Sequence, residues 1–151
     1  MKIAFCTSDD PGSAIIRAAT WSEFSHVAQV LPDGERVVEA VLPGVRVTSI
    51  EQLVRNHTRI SLVDIPCADE GAAAEAALSQ VGKPYDWRAL LGIGLHRDWQ
   101  SDEKWFCSEL LAWCLAQGGK RLFRAEAMRR VTPQHLWALN FPVFADDQAR
   151  C

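Results

Sequence analysis

Apolar residues follow two rhythms along this chain. Up to about residue 65 they form short runs bounded by Pro, Gly, Asp and Ser, the pattern of strands and turns. Residues 3–6, 27–31, 36–41 and 59–65 read as strands, and 45–47 continues the sheet. Pro32-Asp33-Gly34 is a turn signal that makes 27–31 and 36–41 a hairpin. Two short helices interrupt the strands. One opens at Pro11, a favoured first-turn residue, and runs to about Glu23; the other spans 50–56.

After residue 70 the rhythm becomes helical. The alanine-rich stretch 71–81 is a helix that Gly82-Lys83-Pro84 stops. Asp86 caps a further helix running to about Leu95, and 97–104 is polar and irregular. A helix over 106–117 ends at Gly118-Gly119, and 125–130 is a helical piece. Thr132 caps a last helix with Pro133 in its first turn; 141–144 is a closing strand and 146–151 a frayed tail. Strands first and helices later argue for an α+β fold over a doubly wound parallel sheet. No repeat or linker divides the chain, so one domain is expected, with its core over about 3–144.

Composition and charge remove several function classes. The chain has 151 residues, 48% hydrophobic and 23% charged, ordinary for a globular protein. A net charge of −3 gives no electrostatic reason to expect nucleic acid as a partner. The basic cluster Lys120-Arg121, Arg124 and Arg129-Arg130 reads as a solvated helix face. No apolar run is long enough for a membrane span or a secretory leader, so a cytoplasmic location, or delivery by other means, is expected. Five cysteines, Cys6, Cys67, Cys107, Cys114 and Cys151, match no zinc spacing and suggest free thiols. No phosphate loop or His-x-x-x-His pair occurs, so no cofactor or metal is expected.

The candidate chemistry lies at Cys107 and His26. Cys107 begins the helix 106–117, where the partial positive charge and free N–H groups of a helix start favour a thiolate. On that helix Cys107, Leu110, Leu111 and Cys114 share a face, so Cys107 is either a buried core thiol or a nucleophile. Asp102 is an alternative cap that would lengthen the helix and move Cys107 away from its start. His26 opens a strand and is a candidate base; His57, His96 and His135 compete for that role. Glu39 sits inside the apolar run Val37-Val38-Glu39-Ala40-Val41. It either faces outward from an edge or pairs with His26 across the hairpin and orients its imidazole. Tyr85 is the single tyrosine.

These pieces together resemble the NlpC/P60 superfamily of papain-like cysteine hydrolases, and within it the circularly permuted YiiX/YaeF-like branch. Ser25-His26-Val27-Ala28 precedes Phe106-Cys107-Ser108-Glu109-Leu110-Leu111, the reverse of the ordinary order. Gly82-Lys83-Pro84-Tyr85-Asp86-Trp87 is similar to the Gly-x-Pro-Tyr-x-Trp segment of these enzymes, and Thr132-Pro133-Gln134 to the end of the permuted pattern. The resemblance implies an antiparallel sheet packed against a central helix that carries Cys107. It also implies Cys107 as nucleophile, His26 as general base and acid, Glu39 as its orienting partner, and Tyr85 with the Cys107 N–H as oxyanion donors. The implied activity is hydrolysis of an amide in a small peptide, such as a cell-wall fragment, through an acyl-thioester. Glu109 stands where ordinary members have glycine; many relatives are exported to act on cell-wall peptides, and the lack of a signal here puts a peptidoglycan substrate in doubt. An acyltransferase or lipid esterase acting on an acyl substrate, and a binding module without turnover, are the alternatives.

Overall fold

The computed structural model describes residues 1–86, 104–128 and 130–139. Five strands, β1 (Lys2–Thr7), β2 (His26–Val30), β3 (Arg36–Ala40), β4 (Val45–Ser49) and β5 (Arg59–Asp64), form one sheet in the order β4-β3-β2-β1-β5. Every neighbouring pair is antiparallel. Among the described residues six helices accompany it: α1 (Pro11–Thr20), α2 (Ile50–Asn56), α3 (Glu70–Ser79), α4 (Cys107–Gln117), α5 (Ala125–Met128) and α6 (Pro133–Ala138). The α+β expectation and the sheet-on-helix arrangement hold. The expected helix after Asp86, the irregular stretch up to 103, the closing strand 141–144 and the tail lie outside the described residues, as do His96, Asp102 and Cys151.

Both faces of the sheet are covered, which explains why β1 and β2 are almost continuously buried. On one face Ile3, Phe5, Val27, Leu31, Val38 and Ala40 form a core with Leu110, Leu111, Cys114 and Leu115 of α4 and with alanines of α3. On the other, Ala4, Cys6, Ala28, Val30 and Val37 pack with Leu53 of α2. The period of two therefore sorts residues between two interiors rather than between core and water.

Helix starts follow their caps. Side chains of Asp10, Ser49, Asp69 and Thr132 accept hydrogen bonds from the first turns of α1, α2, α3 and α6. α1 ends three residues before the expected Glu23, because Trp21 turns left-handed at φ 51° and its N–H bonds the Arg17 carbonyl. α4 is different at its start. Phe106 is its N-cap and gives no side-chain hydrogen bond, and the preceding Trp105 is bridged to Tyr85 in extended form. The helix thus begins at Cys107, and the longer helix capped by Asp102 is ruled out.

Candidate active site

Cys107 is the first residue of α4, and the start of that helix meets the start of β2 at His26. The Cys107 thiol adjoins the His26 ring and acts on its charge. His26 Nε2 donates to Glu39 Oε2 at 2.8 Å, which leaves Nδ1 for the sulfur. The hairpin supplies this pairing. Ala28 stands opposite Glu39 in the β2–β3 register, so His26, two residues away on the same face, reaches Glu39 diagonally. Glu39 is not an outward edge residue: β3 lies between β2 and β4, and Glu39 is 2% exposed.

Sequence reasoning missed Arg46. It stands directly opposite Glu39 on β4, and its Nε and Nη2 donate to Glu39 Oε1 at 3.0 and 2.8 Å. The carboxylate is therefore shared between a ring N–H and a guanidinium. An acid facing a base on adjacent strands was the available signal, but it requires the β3–β4 register.

The two competing histidines among the described residues make other contacts. His135 closes a capping box with Thr132 at the start of α6. His57 ends α2, and its Nδ1 bonds the Leu53 carbonyl at 2.8 Å. Its ring nevertheless stacks on His26, with centroids 5.6 Å apart and planes 4° from parallel. Thr132-Pro133-Gln134 supports the site from behind. Gln134 Oε1 accepts from the Glu23 N–H at 3.4 Å, and Trp137 packs on Phe24 in the loop leading to His26. Ser108 is tied to the Val131 carbonyl at 2.5 Å, which fixes the start of α4 to the same segment.

Tyr85 is held by a close backbone approach. The Tyr85 N–H bonds the Pro43 carbonyl at 3.0 Å, and the Val45 N–H bonds the Lys83 carbonyl at 2.8 Å. Gly44 faces Pro84 in this contact, and a Cβ there would overlap the Lys83 carbonyl. A cleft of about 420 Å³ opens beside Tyr85 and His26. Ile15 and Ile16 of α1 line one part of it; Ala40 at the end of β3, with Val41 and Leu42 after it, lines another. Cys107 itself is 1% exposed and adjoins the cleft through His26 and Tyr85.

The electrostatics follow from these contacts. Burial would lower the pKa of His26, but its interactions with Cys107 and Glu39 outweigh that and hold it up at about 9. Burial opposes the charge on Glu39, yet His26 and Arg46 pull its pKa down to about 2. At neutral pH the pair is imidazolium and carboxylate. Burial pushes Tyr85 well above the ordinary phenol range, with Cys107 and Asp86 adding to the effect, so its hydroxyl remains a donor. Burial likewise raises Cys6, and pushes Cys114 up to about 12, so both stay neutral thiols.

Comparison with known proteins decides the family. The model of the permuted papain-like amidase enzymes, the YaeF/YiiX or C92 family, matches residues 3–139. This chain belongs to that family. A similar solved structure is the metalloprotein yiiX from Escherichia coli O157:H7, with a TM-score of 0.64 and 26% sequence identity. The match covers 82% of this chain and 68% of that one. No curated protein sequence matches significantly. As a member of the permuted papain-like amidase family the protein is a hydrolase of the cysteine peptidase class, and amide hydrolysis is the reaction class the family carries. Among the described residues no helix is long and apolar enough to cross a membrane. Among them, too, no group of three or more His, Cys, Asp or Glu side chains is placed to hold a metal ion.

Proposed function

We propose that Cys107 is the nucleophile of an amide hydrolase in which His26 moves the proton and Glu39 orients His26. One observation carries the reading: the His26 ring is bonded to Glu39 through Nε2 and also interacts with the Cys107 thiol. An imidazolium against the sulfur is the arrangement that stabilises a thiolate. The sulfur attacks the substrate carbonyl carbon, and the oxygen becomes an oxyanion that accepts hydrogen bonds from the Cys107 N–H and the Tyr85 hydroxyl. The lack of a side-chain cap on α4 suits this use of its first N–H. His26 then gives its Nδ1 proton to the departing amine, the C–N bond breaks, and a thioester remains. Water attacks the thioester while His26 takes its proton, which releases the carboxylic acid and restores the thiolate–imidazolium pair. Glu39 stays ionised throughout.

The motifs around Tyr85 and Thr132 extend this kinship to the wider NlpC/P60 superfamily, and a small peptide amide is the first substrate class. A second reading is favoured by the apolar wall of Ile15, Ile16, Val41 and Leu42, which suits an acyl chain and so an acyltransferase or lipid esterase. A binding module without turnover has no need of the interaction between Cys107 and His26. The test is iodoacetamide labelling at neutral pH with peptide mapping, for wild type and His26→Ala, followed by turnover of peptide amides against acyl esters. Cys107 is expected to label fastest, and His26→Ala to slow it. Labelling of Cys107 no faster than that of half-buried Cys67 would sink the proposal.

A further inference from the structure

One hydrogen bond holds the His26 ring at Nε2, to Glu39, and the Cys107 thiol adjoins the ring. A ring N–H points in the ring plane, so the bond to Glu39 does little to resist a tilt out of it. The ring of His57 lies parallel to that plane, 4° away in angle and 5.6 Å between centroids. His57 is itself anchored. It is the C-cap of α2, its Nδ1 bonds the Leu53 carbonyl, and Leu53 is buried in the core under the sheet. It also lines the cleft beside His26. We propose that His57 is a positioning residue for the reaction: its uncharged ring keeps the His26 imidazole from tilting off the line between Glu39 and Cys107, and proton uptake by His57 undoes that support.

The inference rests on the assignment of Cys107 and His26 above. Its charge logic involves every element around the ring. His26 from β2, Glu39 from β3 and Asp10 ahead of α1 act on His57, while Cys6 beside His26 on β1 stays neutral. Arg46 of β4 is engaged by Glu39, and Tyr85 lines the same cleft as a neutral phenol. Burial lowers the His57 pKa from 6.5, the Leu53 bond opposes that, and the cationic His26 lowers it further. A second imidazolium at this separation repels the first, so His26 is less able to hold its proton once His57 is charged.

The experiment is the rate of Cys107 alkylation by iodoacetamide between about pH 5 and pH 8, for wild type, His57→Ala and His57→Phe, with melting temperatures as a folding control. Wild type is expected to react fast near pH 7 and to slow on acidification below 6.5. His57→Ala is expected to react about tenfold more slowly near pH 7, as a misplaced catalytic group does. His57→Phe restores a flat, uncharged ring. It should recover to within about threefold of wild type and keep its rate near pH 5. A His57→Ala rate equal to wild type, a His57→Phe rate no better than that of His57→Ala, or an unchanged acid fall in His57→Phe each overturns the proposal. Should His57→Ala fail to fold, the acid limb of His57→Phe decides alone. A wild type in which Cys107 reacts no faster than Cys67 overturns the nucleophile assignment and this inference together. A fast wild type matched by its variants overturns only the role of His57.

Discussion

Glu39 holds two cations with two oxygens, Oε2 on His26 and Oε1 on Arg46. Glu39→Gln keeps the shape but can offer its NH₂ to the imidazole, which favours the wrong tautomer. Its activity should fall by about 10²–10⁴-fold, as an orienting acid's replacement does in a serine triad. Arg46→Ala should cost less, because its side chain is 47% exposed and solvent screens the pair. The check is kcat for both variants beside wild type on one amide. A Glu39→Gln enzyme within tenfold of wild type would contradict the role. At this scale the sequence was only half legible. His26 and Cys107 were candidates by position, but a core thiol and three other histidines competed until the order of the motifs pointed to a family. Glu39 stayed ambiguous because alternation cannot tell two buried faces from one buried and one wet. Arg46 was invisible because its meaning is its register opposite Glu39, not its neighbours in sequence.

The elements were legible wherever a cap or a turn residue marked them. α2 was expected over 50–56 and occupies Ile50–Asn56, with Ser49 accepting from the Gln52 N–H. The left-handed Trp21 that ends α1 carries no sequence signal, since tryptophan is not a usual residue there. α4 is enclosed on nearly every side, with Leu110, Leu111, Cys114 and Leu115 all within the core. Leu111→Ala should therefore destabilise the protein by about 2–5 kcal/mol in urea unfolding, with little slope change. Gly44→Ala tests a different element contact. The added methyl must displace the Lys83–Tyr85 backbone, so activity should fall by more than the melting temperature alone explains. If Gly44→Ala loses stability and retains full activity, Tyr85 has no part in the chemistry.

For the whole molecule, the shared ion pair sets a pH window. His26 is raised in the fold from 6.5 to about 9, so its contribution is complete below 6.5 and is lost as pH rises through about 9. Glu39 is lowered from 4.5 to about 2, so its contribution is present above 4.5 and is lost as pH falls through about 2. Stability should be greatest between 4.5 and 6.5. Above pH 9.0 the raised thiols of Cys6 and Cys114 add to the decline, because the unfolded chain ionises them first. Melting temperatures across the pH range for wild type and His26→Ala check this. The variant should lose the decline between 6.5 and 9 and keep the steeper one beyond it.

His26, Glu39, Arg46 and His57 all lie before residue 58, and Cys107 follows roughly fifty residues later. That order has a consequence for how the enzyme comes into being on the ribosome. The sheet that holds the proton-handling groups leaves the exit tunnel well ahead of the sulfur. Under the proposed roles, a chain stalled or cut before residue 107 carries the base and lacks the nucleophile. One face of that sheet packs on the helix of Cys107, so the proposed base and the proposed nucleophile come together only when that late helix docks.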